Sequence, residues 1–226
     1  MSRKQKLDQY RGPLSTAQIA DGMNAAIDNA ARLANDAKIL LESHSYPSAA
    51  SLAILSIEES GKITVLRGLA LARDEYEQMD AWREYRSHTC KNAMWLFPEM
   101  VAKGGRKLND FSKITDPSSD HPYVLDKLKQ VAFYTDCLGT SHWSIPHEVI
   151  DDKLASMLVD IALLLVGKKH VTTKEVELWI KHMKPVWGTS EAFEKAALKN
   201  WYADMQIHGL TPVGDNEMAK FDSFID

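Results

Sequence analysis

Cysteine is nearly absent from this chain: only Cys90 and Cys137 occur in 226 residues, with no CxxC or CxxH spacing. A disulfide framework or a zinc knuckle needs more thiols, set closer, so neither is expected. Glycine and proline are sparse as well, at 11 and 8, which leaves little of the turn chemistry that punctuates short strands. No excess of positive charge exists: 27 Lys and Arg face 31 Asp and Glu, for a net charge of −4. A protein that coats nucleic acid needs the opposite balance, although a local basic patch remains open to it. The most apolar stretch, SMLVDIALLLVG at 156–167, is too short for a bilayer and contains Asp160. The polar opening MSRKQKLDQYRG holds no secretory apolar segment, so a cytoplasmic chain with no membrane partner is expected.

What the chain does have is helical spacing. Alternating β-branched runs are missing, and the fold class expected is all-α. Ser15 or Thr16 caps a first helix that runs to Glu42, with Ala30, Leu33, Ala37, Leu40 and Leu41 on its inner face. Pro47 opens a second helix over 47–73 that is apolar on nearly every side and therefore buried. A third spans 74–102, kinked or divided at Pro98. Residues 104–122 read as a long loop. Further helices are expected at 122–137, 146–167, 172–184 and 189–208. A tail from Thr211 follows, whose Phe221 and Phe224 lie among acids and suit a groove. The organisation expected is a helical bundle over 15–137 and a helical C-terminal extension over 138–226 packed on it.

Three sets of polar residues carry information. Glu58, Glu59 and Lys62 interrupt the greasy second helix, and Glu59 and Lys62 continue the line of Leu52, Leu55, Leu66 and Leu69 toward the core. Glu58 and Lys62 are i,i+4 neighbours, and Glu59 and Lys62 are i,i+3. Charges taken out of water cost several kcal/mol unless paired, so these residues need partners on other helices. Either a buried ion-pair network fixes helix register, or a polar pocket positions catalytic groups. The second set is Trp82, Arg83, Glu84, Tyr85, Arg86, Ser87 and His88, followed by Lys91 and Asn92. A histidine near neutrality moves protons, and arginine holds phosphate bidentately. On one continuous helix Arg83 and His88 stand about 140° apart, so they meet at one phosphate only through the length of Arg or through a second copy. The third set is Lys129, Tyr134 and Asp136, a mixed face that offers a Tyr hydroxyl to the same network. The remaining histidines are scattered without HExxH or ExxH partners, so no metal and no cofactor is expected. Basic clusters at Lys103–Lys107 and Lys168–His170 suit a phosphate backbone or a solvated helix end.

Taken in order, EE-x-GK at 58–62, then Trp82, Arg86, His88 and Lys91, then K-Q-x-x-x-Y-x-D at 129–136, resemble the AbiV family of abortive-infection proteins. The resemblance spans residues 20–137. It implies a HEPN-type helical bundle, a homodimer, and a role in stopping host growth or translation during phage infection. Many HEPN proteins are metal-independent ribonucleases with an R-x4-6-H motif, which Arg83 and His88 satisfy. The resemblance thus implies Arg83 and His88 as catalytic residues acting on RNA. Glu58, Glu59, Lys62, Arg86, Lys91, Tyr134 and Asp136 then order the site around them. Glu84 departs from the pattern of active members, because a carboxylate next to a phosphate-binding Arg weakens it. The alternative is a non-enzymatic effector that sequesters a phage-encoded protein or a translation component. A nucleotide-binding regulatory bundle, with Lys62 and Arg83 as phosphate ligands, is a third reading.

Overall fold

The computed structural model describes residues 8–116, 118–167 and 169–226; Lys168, part of one basic cluster above, lies outside them. The described chain is all-α apart from one small hairpin. Its helices are α1 (Thr16–Glu42), α2 (Tyr46–Leu71), α3 (Glu75–Arg86), α4 (His88–Lys91), α5 (Phe97–Ala102) and α6 (Ser112–Thr115). They continue as α7 (His121–Phe133), α8 (Pro146–Val149), α9 (Asp152–Leu165), α10 (Thr173–Met183), α11 (Glu191–Ile207) and α12 (Asp215–Ile225). Antiparallel β1 (Asp136–Leu138) and β2 (His142–Ser144) pair Cys137 with Trp143 between α7 and α8.

The first helix starts where its cap demands. Ser15 Oγ accepts from Gln18 N at 3.2 Å while the Gln18 side chain accepts from Ser15 N at 2.9 Å, a reciprocal capping box. α1 then packs along α2 through alanines: Ala34, Ala37, Ala49, Ala50 and Ala53 have no exposed surface. Small side chains let the two backbones approach closely, which is why so apolar a helix as α2 is covered on several sides. α9 lays Ala155, Leu158, Val159 and Ala162 on this same core, and α7 adds Leu125 and Ala132. Each of the larger buried side chains contributes about 1.5–3 kcal/mol by removal from water. The principal core therefore runs on past residue 137. A second cluster joins Ile19, Met23, Leu66, Leu69, Trp82 and Val176, and ties α10 to α1, α2 and α3.

The expected third helix is broken at Ser87 as well as at Pro98, which stands in the first turn of α5. Ser87 adopts φ −74° and ψ 133°, which ends α3, and its hydroxyl accepts from Cys90 N to start α4. A serine that caps the next turn competes with continued helix. Two 3-10 turns, Ala93–Leu96 and Leu108–Phe111, precede α5 and α6, so the expected loop of 104–122 is partly helical. The hairpin was invisible to period-two reasoning because each strand spans three residues. Its turn rests on left-handed Gly139 and Ser141, with φ of 56° and 71°. The tail forms α12, with Phe221 stacked on Tyr202 at 4.1 Å, Phe224 6.2 Å from Phe111, and Ile225 buried. Among the described residues no helix is long and apolar enough to cross a membrane.

Candidate functional site

The charged residues of α2 occupy different depths. Glu58 is 3% exposed, whereas Glu59 and Lys62 are half-buried and pair with each other at 2.6 Å. The buried acid is thus Glu58, and Lys62 takes Glu59 as its partner instead of Glu58. The helix turns its small-residue stripe, not its Leu52–Leu55 line, into the core, and Glu58 follows Ala50 and Ile54 around that stripe. Lys62 Nζ also lies 5.3 Å from the centre of the Tyr85 ring.

Both oxygens of Glu58 are used. Oε1 accepts from Lys129 Nζ of α7 at 2.5 Å, and Lys129 is paired again with Asp126 at 2.9 Å. Burial works against the Lys129 ammonium, but the hydrogen bonds to Glu58 and Asp126 and their charges more than offset it, so its pKa is raised. Oε2 meets His88 Nδ1 at 2.8 Å. An ionised carboxylate only accepts, so Nδ1–H donates and the lone pair falls on Nε2. The Glu58 side chain is 4% exposed and that of His88 is 60% exposed. The imidazole is therefore held from beneath by a buried acid and presents its outer nitrogen to solvent, as an acid–base group requires.

Backbone packing sets the height of His88. A Cβ on Gly61 would stand 2.0 Å from the Lys91 carbonyl oxygen. Glycine is required there for α4 to lie against α2, and the Gly in EE-x-GK is a contact residue. Lys91 itself is 6% exposed and makes no ion pair among the described residues; burial lowers its pKa, with the charge of Glu58 opposing. Next to it, fully buried Asn92 donates from Nδ2 to Pro122 O at 3.2 Å. His121 bridges Ser119 Oγ at 2.7 Å and Ala93 O at 3.0 Å, and Trp95 Nε1 donates to His121 O at 3.0 Å. These bonds pin the start of α7 to the chain after α4 and so bring Lys129 under Glu58.

The other expected residues lie elsewhere. Arg83 is exposed on α3 and pairs with Asp80 one turn back, a contact that does not reach His88. Glu84 is likewise exposed to solvent. Arg86 is structural in its contacts: it donates to Trp82 O at 3.1 Å and to Tyr10 O, with its guanidinium 5.1 Å over the Trp82 ring. A cleft of about 410 Å³ lined by Arg11, Met79, Trp82, Arg83, Arg86 and Ser87 gathers three arginines beside the start of α4. Tyr134 is exposed beyond α7, and Asp136 accepts from Cys137 N at 2.7 Å; neither touches the Glu58 network. Sequence reasoning named Asn92 but missed Asp126 and Arg11. Only Asp126 had a signal, its i,i+3 spacing to Lys129.

No curated protein and no solved structure matches the chain significantly. The profile of the AbiV family, helical HEPN proteins of abortive infection, matches residues 18–167, which takes in α2, α4, α7 and the α9 that completes their core. The chain belongs to the AbiV family.

Proposed function

We propose that this AbiV-family protein defends against phage by arresting growth or translation through metal-independent cleavage of RNA, with His88 as the acid–base group. The observation that carries the reading is the hydrogen bond from His88 Nδ1 to buried Glu58, which leaves Nε2 open to solvent. In cleavage, Nε2 takes the proton of a ribose 2′-OH and the 2′-oxygen attacks the adjacent phosphorus. The 5′-oxygen then leaves with a proton returned from an imidazolium. Arg83, with Arg11 and Arg86 along the same cleft, supplies charge for the phosphate. A homodimer supports this chemistry by placing a second His88 opposite the first. Lys91, Glu59 and Lys62 shape the potential beneath the imidazole.

The test is RNA integrity in cells expressing the wild type, His88→Ala or Arg83→Ala, and with purified protein in EDTA. Cleavage that survives EDTA, disappears with His88→Ala and falls at least about tenfold with Arg83→Ala is the expected outcome. Growth arrest with intact RNA in all three sinks the nuclease reading and leaves the effector that sequesters a phage or translation protein.

A further inference from the structure

A second polar centre lies where α2 meets α10 and α11, beyond the Glu58 network. The Arg67 guanidinium sits 5.3 Å from the ring centre of Trp179 and 5.8 Å from that of Trp201, and the two indoles meet edge to face at 5.5 Å. Among the described residues Arg67 has no side-chain hydrogen bond and no ion pair. Glu175, whose charge acts on it, is engaged elsewhere: it accepts from Thr172 N at 2.5 Å and lies 3.7 Å from Lys169 Nζ. Burial lowers the pKa of Arg67 against the pull of Glu175. Trp179 Nε1 donates to Arg67 O at 3.2 Å, but Trp201 Nε1 is buried and has no acceptor among the described residues. Both side chains border a cavity of about 210 Å³ whose wall also includes Lys169, Met205, Thr211 and Glu175, the carboxylate of Glu175 being turned to Thr172 N and Lys169.

A guanidinium has five donors in one plane, and stacking on indoles satisfies none of them. A half-buried cation beside an unsatisfied indole N–H is costly unless an anionic acceptor completes the set. We propose that this cavity binds a small oxyanion, a carboxylate or phosphate on a compact body, held by Arg67 and Trp201 with Lys169 at the rim. The volume is below the ~300 Å³ at which drug-sized ligand pockets begin, so the body is smaller than a nucleotide. The site joins the two parts of the molecule: Arg67 lies within the family-matched segment, whereas Trp179 and Trp201 lie beyond residue 167.

The experiment is titration calorimetry of the full chain with inorganic phosphate, pyrophosphate and benzoate. Saturable binding of at least one of them is expected, weakened about a hundredfold or more by Arg67→Gln and about tenfold by Trp201→Phe. Preference for phosphate or for benzoate identifies the class of anion. Absence of binding for all three, or binding undiminished in both variants, overturns the proposal. Circular dichroism checks each fold. If Arg67→Gln does not fold, Trp201→Phe and Lys169→Ala decide by the same criterion. His88→Ala binds as the wild type does, so failure of the nuclease reading leaves this result unaffected.

Discussion

The histidine and the arginine of the R-x4-H pattern stand in opposite surroundings. His88 is anchored to a carboxylate that is 4% exposed and is shared with a buried lysine 71 residues away in sequence; the Arg83 side chain is 72% exposed and pairs with Asp80 of its own helix. Three helices must pack to place the one, and a single turn of α3 suffices for the other. A histidine tied in this way to a buried carboxylate carries a fixed direction. An exposed arginine is free to leave its aspartate for a phosphate or for a second copy of the chain.

This contrast can be broken from the inside outward. The largest effect is expected of Glu58→Ala, which strands Lys129 in the core and releases His88. Unfolding in urea should show a loss of about 3–5 kcal/mol, and an unchanged midpoint would refute the buried dyad. Gly61→Ala comes next, because its new methyl meets the Lys91 carbonyl oxygen and α4 must shift. A loss of about 1–3 kcal/mol is expected, and RNA cleavage should fall with it as His88 moves. Lys91→Met should act in the other direction. Because burial lowers the folded pKa of Lys91, the unfolded chain binds the proton more readily. Stability therefore rises with pH from that lowered value up to the ordinary value of 10.5. Melts from neutral pH up through this window should show the variant more stable by about 1 kcal/mol at neutral pH, with a flatter profile across the window. Lys129 has the opposite sign: its raised pKa stabilises below 10.5 and that contribution is lost above it. The smallest effect belongs to Arg83→Ala, whose surface pair with Asp80 is worth less than about 0.5 kcal/mol. Unchanged melting with impaired cleavage would separate its role from folding.

The fold was legible wherever one segment decides its own structure. Ser15 marks the start of α1, and Ala30, Leu33 and Ala37 mark its buried side, because capping and 3.6-residue spacing are local properties. The break at Ser87 was equally local, since Ser is a favoured cap, yet the aromatic and basic pattern on both sides masked it. The site was legible only in part. Spacing singled out Glu58, Glu59 and Lys62 as residues needing partners, but that Lys129 and not Lys62 completes Glu58 depends on where α7 lands. That position rests on Asn92, His121 and Trp95 bonds between distant segments, which no periodicity encodes. The three-residue strands and the place of Arg67 against Trp179 and Trp201 were hidden for the same reason.

The glycine contact between α2 and α4 bears on how sequences of this kind tolerate change. His88 takes its position from Gly61 and Ser87, both of which lie outside α3. Insertions or deletions within α3 therefore carry Arg83 to a new place while His88 stays where it is. The spacing between the two residues is free to drift over generations, and the histidine is not.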